Sequence, residues 1–138
     1  MLNIKESTDL DLIKINLLNP PTILVVDDEQ GVLTFIKIRL QASGYKVLTA
    51  KDGFEALELL KNNHTDMALV DLMMPQMSGL ELIEKIRKFT QIPIIVITAS
   101  DSPDTKFEAF ALGANEFLTK PFNPDDLVSR IKDIFQRQ

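Results

Sequence analysis

The sequence predicts an α/β fold, a doubly wound parallel sheet of five strands flanked by five helices, and three observations carry that reading. Short apolar runs recur about every 22 to 27 residues. The runs are continuous rather than alternating, the mark of strands covered on both faces. The stretches between them place apolar residues at helical spacing, so each strand is joined to the next by a crossover, and strands joined that way run parallel.

Ile23-Leu24-Val25-Val26 opens the pattern as the first strand, and Leu33, Ile36 and Leu40 make one face of the first helix. Gly44 stands where that helix needs a left-handed C-terminal residue. Tyr45-Lys46-Val47-Leu48 is a weaker second strand, followed by Ala56, Leu57 and Leu60 on the second helix. Met67-Ala68-Leu69-Val70 is the third strand. Ser78, with Glu81 three residues later, forms a capping box ahead of the third helix, whose apolar face is Leu82, Ile83 and Ile86. Ile94-Ile95-Val96-Ile97 is the fourth strand, and Phe107 and Ala111 set the face of a fourth helix that ends at Gly113. Glu116-Phe117-Leu118 supplies the fifth strand. Asn123-Pro124 reads as N-cap and first residue of the last helix, which carries Leu127, Ile131, Ile134 and Phe135.

The chain has 138 residues, enough for one domain with a packed core, and 45% apolar against 25% charged residues is the composition of an ordinary globular protein. No apolar stretch approaches the ~18 residues of a membrane span. Fifteen Lys plus Arg against twenty Asp plus Glu give a net charge of -5, a poor footprint for gripping nucleic-acid phosphates. Without Cys there is neither a disulfide framework nor a thiolate metal site, and the single His64, expected in a surface loop, forms no histidine cluster. Glu6, Asp9 and Asp11 occupy the place where a secretory signal needs a basic start, so the expected compartment is the cytoplasm. Residues 1 to 21 lie outside the strand and helix alternation and read as a leader, flexible or a short helix, that Pro20-Pro21 closes; residues 22 to 138 form the domain.

In an open parallel sheet, ligands bind beyond the carboxyl ends of the strands. Asp27-Asp28-Glu29 ends the first strand, Asp71 the third, and Thr98-Ala99-Ser100 the fourth, while Lys120-Pro121 follows the fifth. Singly these are turn and cap residues, but together they put carboxylates from two strands on one edge, where they repel unless a cation neutralises them. Mg2+ suits such a site because it takes few carboxylates, keeps waters and completes its shell with phosphate. Lys120 is the fixed cation that can stabilise phosphoryl oxygens there.

The motifs Val26-Asp27-Asp28-Glu29, Val70-Asp71-Leu72-Met73-Met74-Pro75-Gln76-Met77-Ser78-Gly79, Ile97-Thr98-Ala99 and Leu118-Thr119-Lys120-Pro121-Phe122 resemble, in this order and spacing, the receiver domain of two-component response regulators. The resemblance covers residues 22 to 138. It implies the flavodoxin-like strand order 2-1-3-4-5. It implies that Asp71 accepts a phosphoryl group from a histidine kinase or histidine phosphotransfer protein. Asp28 would be the direct Mg2+ ligand and Asp27 a water-mediated one, with Asp71 also at the metal and Met73 lending its backbone carbonyl. Thr98 and Lys120 would hold phosphoryl oxygens, and Lys120-Pro121 would be the peptide often found cis.

The resemblance also places Phe117 at the switch position, filling the space behind Thr98 when that residue moves toward a new phosphoryl group. Phe in place of the frequent Tyr leaves no hydroxyl to anchor either rotamer. The reporting surface would be the fourth helix, fifth strand and fifth helix. Met73 and Ser100, two residues beyond Asp71 and Thr98, cannot act as general bases, so slow hydrolysis of the acyl phosphate is expected. Lys106, Glu116, Asp126 and Arg130 resemble the charges of a dimer face that pairs across a two-fold axis, with solvated surface charge as the plainer reading.

The chain stops where the fifth helix should end, which fits either a free-standing receiver that docks on a downstream target or the receiver portion of a longer regulator with its own effector domain. Two other functions compete. One is a receiver-like binding module that works without phosphorylation, although such modules tend to lack part of the acidic and Lys set. The other is an aspartyl-phosphate hydrolase, whose second Asp two residues after the nucleophile is replaced here by Met73.

Overall fold

In the computed structural model, which describes residues 19–137, the alternation expected from the sequence is present throughout. The strands are β1 (Thr22–Val26), β2 (Lys46–Ala50), β3 (Met67–Val70), β4 (Ile94–Thr98) and β5 (Glu116–Thr119). The helices are α1 (Gln30–Ala42), α2 (Gly53–Asn62), α3 (Gly79–Arg87), α4 (Pro103–Leu112) and α5 (Pro124–Gln136). One sheet holds all five strands in the order β2-β1-β3-β4-β5, every pair parallel. The leader expected over residues 1 to 21 falls almost wholly outside the described residues.

The continuous apolar runs sort by parity onto the two faces of the sheet. Ile23 and Val25, Met67 and Leu69, Ile95 and Ile97, and Leu118 pack against α1 and α5. Leu24 and Val26, Ala68 and Val70, Ile94 and Val96, and Phe117 pack on the side of α2, α3 and α4. Successive strand residues point to opposite faces, so two covered faces demand an apolar residue at every position. The second run is weaker because β2 lies at an edge with mostly half-buried residues, and its strand begins at Lys46 rather than Tyr45.

The helix boundaries follow local chemistry. Gly44 and Gly113 adopt left-handed φ values of 97° and 116° behind α1 and at the end of α4, a conformation that costs a residue with a Cβ. Ser78 Oγ accepts from Glu81 N at 3.2 Å, and Asn123 Oδ1 accepts from Asp125 N at 2.8 Å. The fourth helix departs from expectation. Its buried residue is Ala109, whereas Phe107 and Ala111 point outward. Two residues four apart identify a helix, but which way that stripe turns depends on what packs beside it. Here the aromatic side chains of α4 lie on either side of the buried alanine.

Candidate functional site

The strands are parallel, so residues following β1, β3, β4 and β5 meet at one end of the sheet. Backbone hydrogen bonds carry the ladder one residue past β1, β3 and β5: Asp27 N donates to Ala50 O at 3.1 Å, Asp71 N to Val26 O at 3.0 Å, and Lys120 N to Thr98 O at 2.8 Å. Asp27 and Asp71 are thereby held side by side, both buried. Lys120 reaches between them, its Nζ donating to Asp27 Oδ2 at 2.6 Å and to Asp71 Oδ2 at 3.2 Å. The opposite oxygens accept from backbone amides, Asp27 Oδ1 from Glu29 N at 2.9 Å and Asp71 Oδ1 from Met73 N at 3.1 Å. Asp28 joins them from the exposed side, and carboxylate oxygens of Asp27, Asp28 and Asp71 lie within 4.8 Å of one another.

Three carboxylates face a single ammonium, leaving the pocket with surplus negative charge. Burial pushes the Asp27 carboxyl above its usual range, and the hydrogen bond from Lys120 only partly offsets it. Burial alone would pull the Lys120 ammonium down, but the Asp27 hydrogen bond and the charges of Asp71 and Asp27 outweigh it and hold it above its ordinary value. Lys120 is therefore a fixed positive charge at neutral pH. The remaining surplus and the all-oxygen donor set fit a small hard dication such as Mg2+.

Thr98 is fully buried at the end of β4, and its Oγ1 has no hydrogen-bond partner among the described residues. Leaving a buried hydroxyl unsatisfied costs about 1–3 kcal/mol, so the site holds a donor in reserve. Phe117 pairs in register with Val96, two residues below Thr98, and its side chain is buried. The Lys120-Pro121 peptide is cis.

Other residues singled out from the sequence lie elsewhere. Glu116, Asp126 and Arg130 meet within this chain, with Arg130 Nη1 3.1 Å from Glu116 Oε2 and its Nε 3.2 Å from Asp126 Oδ2. Lys106 Nζ sits 5.4 Å from the centre of the Phe117 ring. His64 lies before β3, at the far end of the sheet from the acidic pocket, with Nε2 2.8 Å from Asp66 Oδ1. Among the described residues no helix is long and apolar enough to cross a membrane.

Sequence reasoning gave no role to Gly79, yet it shapes the site. A Cβ there would fall on the Asp71 carbonyl oxygen and 2.6 Å from Leu72 Cα, so only glycine lets α3 start directly against the Asp71 backbone. The glycine was visible in the sequence; its closeness to Asp71 required the fold of the intervening loop.

Comparison with known proteins agrees with this geometry. The family model described as the response regulator receiver domain matches residues 23–132. The chain is 39% identical over 116 residues to the alkaline phosphatase synthesis transcriptional regulatory protein PhoP of Bacillus subtilis, covering 83% of this chain and 48% of that protein. It is 37% identical over 115 residues to the probable transcriptional regulator ycf27 of Porphyridium aerugineum, again covering 83% and 48%. The chain thus spans about half the length of these relatives. Among solved structures, a CheY-like response regulator receiver domain protein from Methanospirillum hungatei superposes with a TM-score of 0.82 at 33% identity, covering 85% of this chain and 94% of that one. The response regulator TrrA of Thermotoga maritima, solved in complex with Mg(2+)-BeF, superposes with a TM-score of 0.75 at 37% identity, covering 82% and 97%.

Proposed function

Because this chain belongs to the family of response regulator receiver domains of two-component systems, we propose that Asp71 is its phosphoryl acceptor and that phosphorylation there alters its partner-binding face. The observation that carries this reading is the Lys120 ammonium held 2.6 Å from Asp27 and 3.2 Å from Asp71 in a pocket of surplus negative charge. The donor is a phosphohistidine on a histidine kinase or histidine phosphotransfer protein, and with an ATP-charged donor the reaction belongs in the cytoplasm. An Asp71 carboxylate oxygen attacks phosphorus as the P–N bond breaks, and the electron pair leaves on the imidazole nitrogen. Lys120 moves from bridging two carboxylates to neutralising the equatorial phosphoryl oxygens, and Thr98 Oγ1 gains the acceptor it lacks.

Asp27, Asp28, Asp71 and the Met73 carbonyl are the groups that would hold Mg2+, which supplies charge neutralisation to the phosphoryl oxygens when bound. Thr98 turning toward the acyl phosphate frees room behind it for Phe117, which passes the change to α4, β5 and α5 and so to a downstream target or effector domain. Dimerisation through Lys106, Glu116, Asp126 and Arg130 would first have to exchange the ion pairs Arg130 makes within the chain, and would show as salt-sensitive association on phosphorylation. Met73, exposed directly after the acceptor loop begins, obstructs attacking water; Met73→Ala is expected to shorten the acyl-phosphate lifetime.

The test is intact mass after incubation with acetyl phosphate, with and without Mg2+, on this chain and on Asp71→Asn. A single phosphoryl adduct that requires both Mg2+ and Asp71 is expected. No adduct under any condition would overturn the reading in favour of a binding module that works unphosphorylated. Donor turnover without accumulation would favour a hydrolase.

A further inference from the structure

α4 presents two unlike sides around its buried Ala109. Lys106 and Phe110 face β5, where Phe110 stacks obliquely on Phe117 with ring centres 6.4 Å apart. On the other side Phe107, Glu108 and Ala111 form, with Leu80 and Glu84 of α3, a cleft of about 400 Å³. Phe107 at this cleft is 76% exposed, the most exposed large apolar side chain among the described residues. An aromatic ring left in water beside an apolar recess marks a contact surface. The charges around it carry one sign. Glu81, Glu84 and Glu108 line the cleft, and among the described residues the only ion pair they make is Glu81 with Lys85 at 3.9 Å.

We propose that the α3–α4 cleft is a docking groove for a basic amphipathic helical segment of a partner protein. The apolar face of such a segment fills the recess over Leu80, Ala111 and Leu112, and its arginines or lysines lie across Glu84 and Glu108. An arginine laid on Phe107 also gains from the ring face. Charge complementarity selects this occupant. An acidic segment would bring repulsion and an uncharged one would leave the carboxylates of Glu84 and Glu108 unmatched. A second copy of this chain, with its net charge of -5, brings predominantly the same sign. The groove lies on the side of α4 away from β5, so it is separate from the surface around Phe117.

A displayed library of random peptides, selected on the full chain and counter-selected on Phe107→Ser and on the double variant Glu84→Lys, Glu108→Lys, tests the proposal. The expected winners combine Arg or Lys with large apolar residues at three- and four-residue spacing. They lose about tenfold or more in affinity on either variant, and they shift backbone amide resonances only in α3 and α4. Acidic winners, winners indifferent to both variants, no winners at all, or shifts centred on the acidic pocket or the β5 side would each overturn it. So would groove resonances that move with protein concentration alone, since the occupant would then be a second copy. All three substituted residues are exposed, and a thermal unfolding curve verifies that each variant folds. The selection uses unphosphorylated chain without Mg2+, so its failure is independent of the phosphoacceptor reading.

Discussion

α4 and α5 follow consecutive strands and cover opposite faces of the sheet near β5, yet the fold holds them in different ways. α5 buries Leu127, Val128, Ile131 and Ile134, and its first turn is capped by Asn123. Four buried side chains at about 1.5–3 kcal/mol each make it a structural element of the core. α4 buries Ala109, and Ser102 at its start makes no side-chain cap. What fixes α4 is its far end. Arg87 of α3 donates to Gly113 O through Nε at 3.2 Å and Nη2 at 2.8 Å, and to Ile92 O through Nη1 at 2.7 Å. The end of α4 at Gly113 is therefore held by more contacts than the end that follows Thr98. The difference teaches which part of the proposed α4, β5 and α5 reporting surface yields at lowest cost: α4, with α5 the more firmly held side of that surface.

The largest expected effect follows from the α5 side of this contrast. Ile131→Ala should cost about 3 kcal/mol in denaturant-induced unfolding, because it removes a fully buried side chain and leaves a cavity. Ala109→Gly in α4 should cost about 1 kcal/mol, mostly helix propensity. Similar losses for the two would mean that α4 is as deeply anchored as α5. Next in size is Arg87→Met, which keeps the apolar stem but strips four hydrogen bonds to backbone carbonyls and one to the Asn115 side chain, and should cost about 2 kcal/mol. Its signature is local. Amide hydrogen exchange in α4 should accelerate well beyond that in α5, and equal acceleration in both would show that Arg87 supports the whole domain rather than pinning one helix.

Much of this was legible in the sequence because it rests on period and position. The parity of each strand run and the caps at Ser78, Asn123 and Gly113 are local facts. A parallel sheet then carries Asp27, Asp71 and Lys120 to one end by topology alone. What was not legible depends on two distant segments meeting. The Arg87 contacts join α3 to the turns that lead into β4 and β5, and the Gly79 contact needs a loop that doubles back on Asp71. Gln76 holds a left-handed φ of 67° in that loop with a side chain that does not announce it. The outward turn of Phe107 was hidden because an apolar pair four residues apart looks the same facing a core or a groove.

The smallest expected effect is also the most discriminating. Thr98 keeps a buried hydroxyl without a hydrogen-bond partner among the described residues, so the isosteric Thr98→Val should stabilise the unphosphorylated chain by about 1 kcal/mol. A functional residue that stabilises when removed is being held for another state. If phosphorylation reaches α4 through Thr98, the same variant should still accept a phosphoryl group on Asp71 but lose the change in α4 hydrogen exchange that phosphorylation brings. Destabilisation by Thr98→Val would mean the hydroxyl is already satisfied in the resting state. Persistence of the α4 response would mean the signal passes instead through Lys120 and the backbone bond from Lys120 N to Thr98 O, which the substitution leaves intact. Loss of the α4 response would assign the first step of the motion to the Thr98 side chain, and its persistence would assign that step to Lys120 and the strand-end backbone.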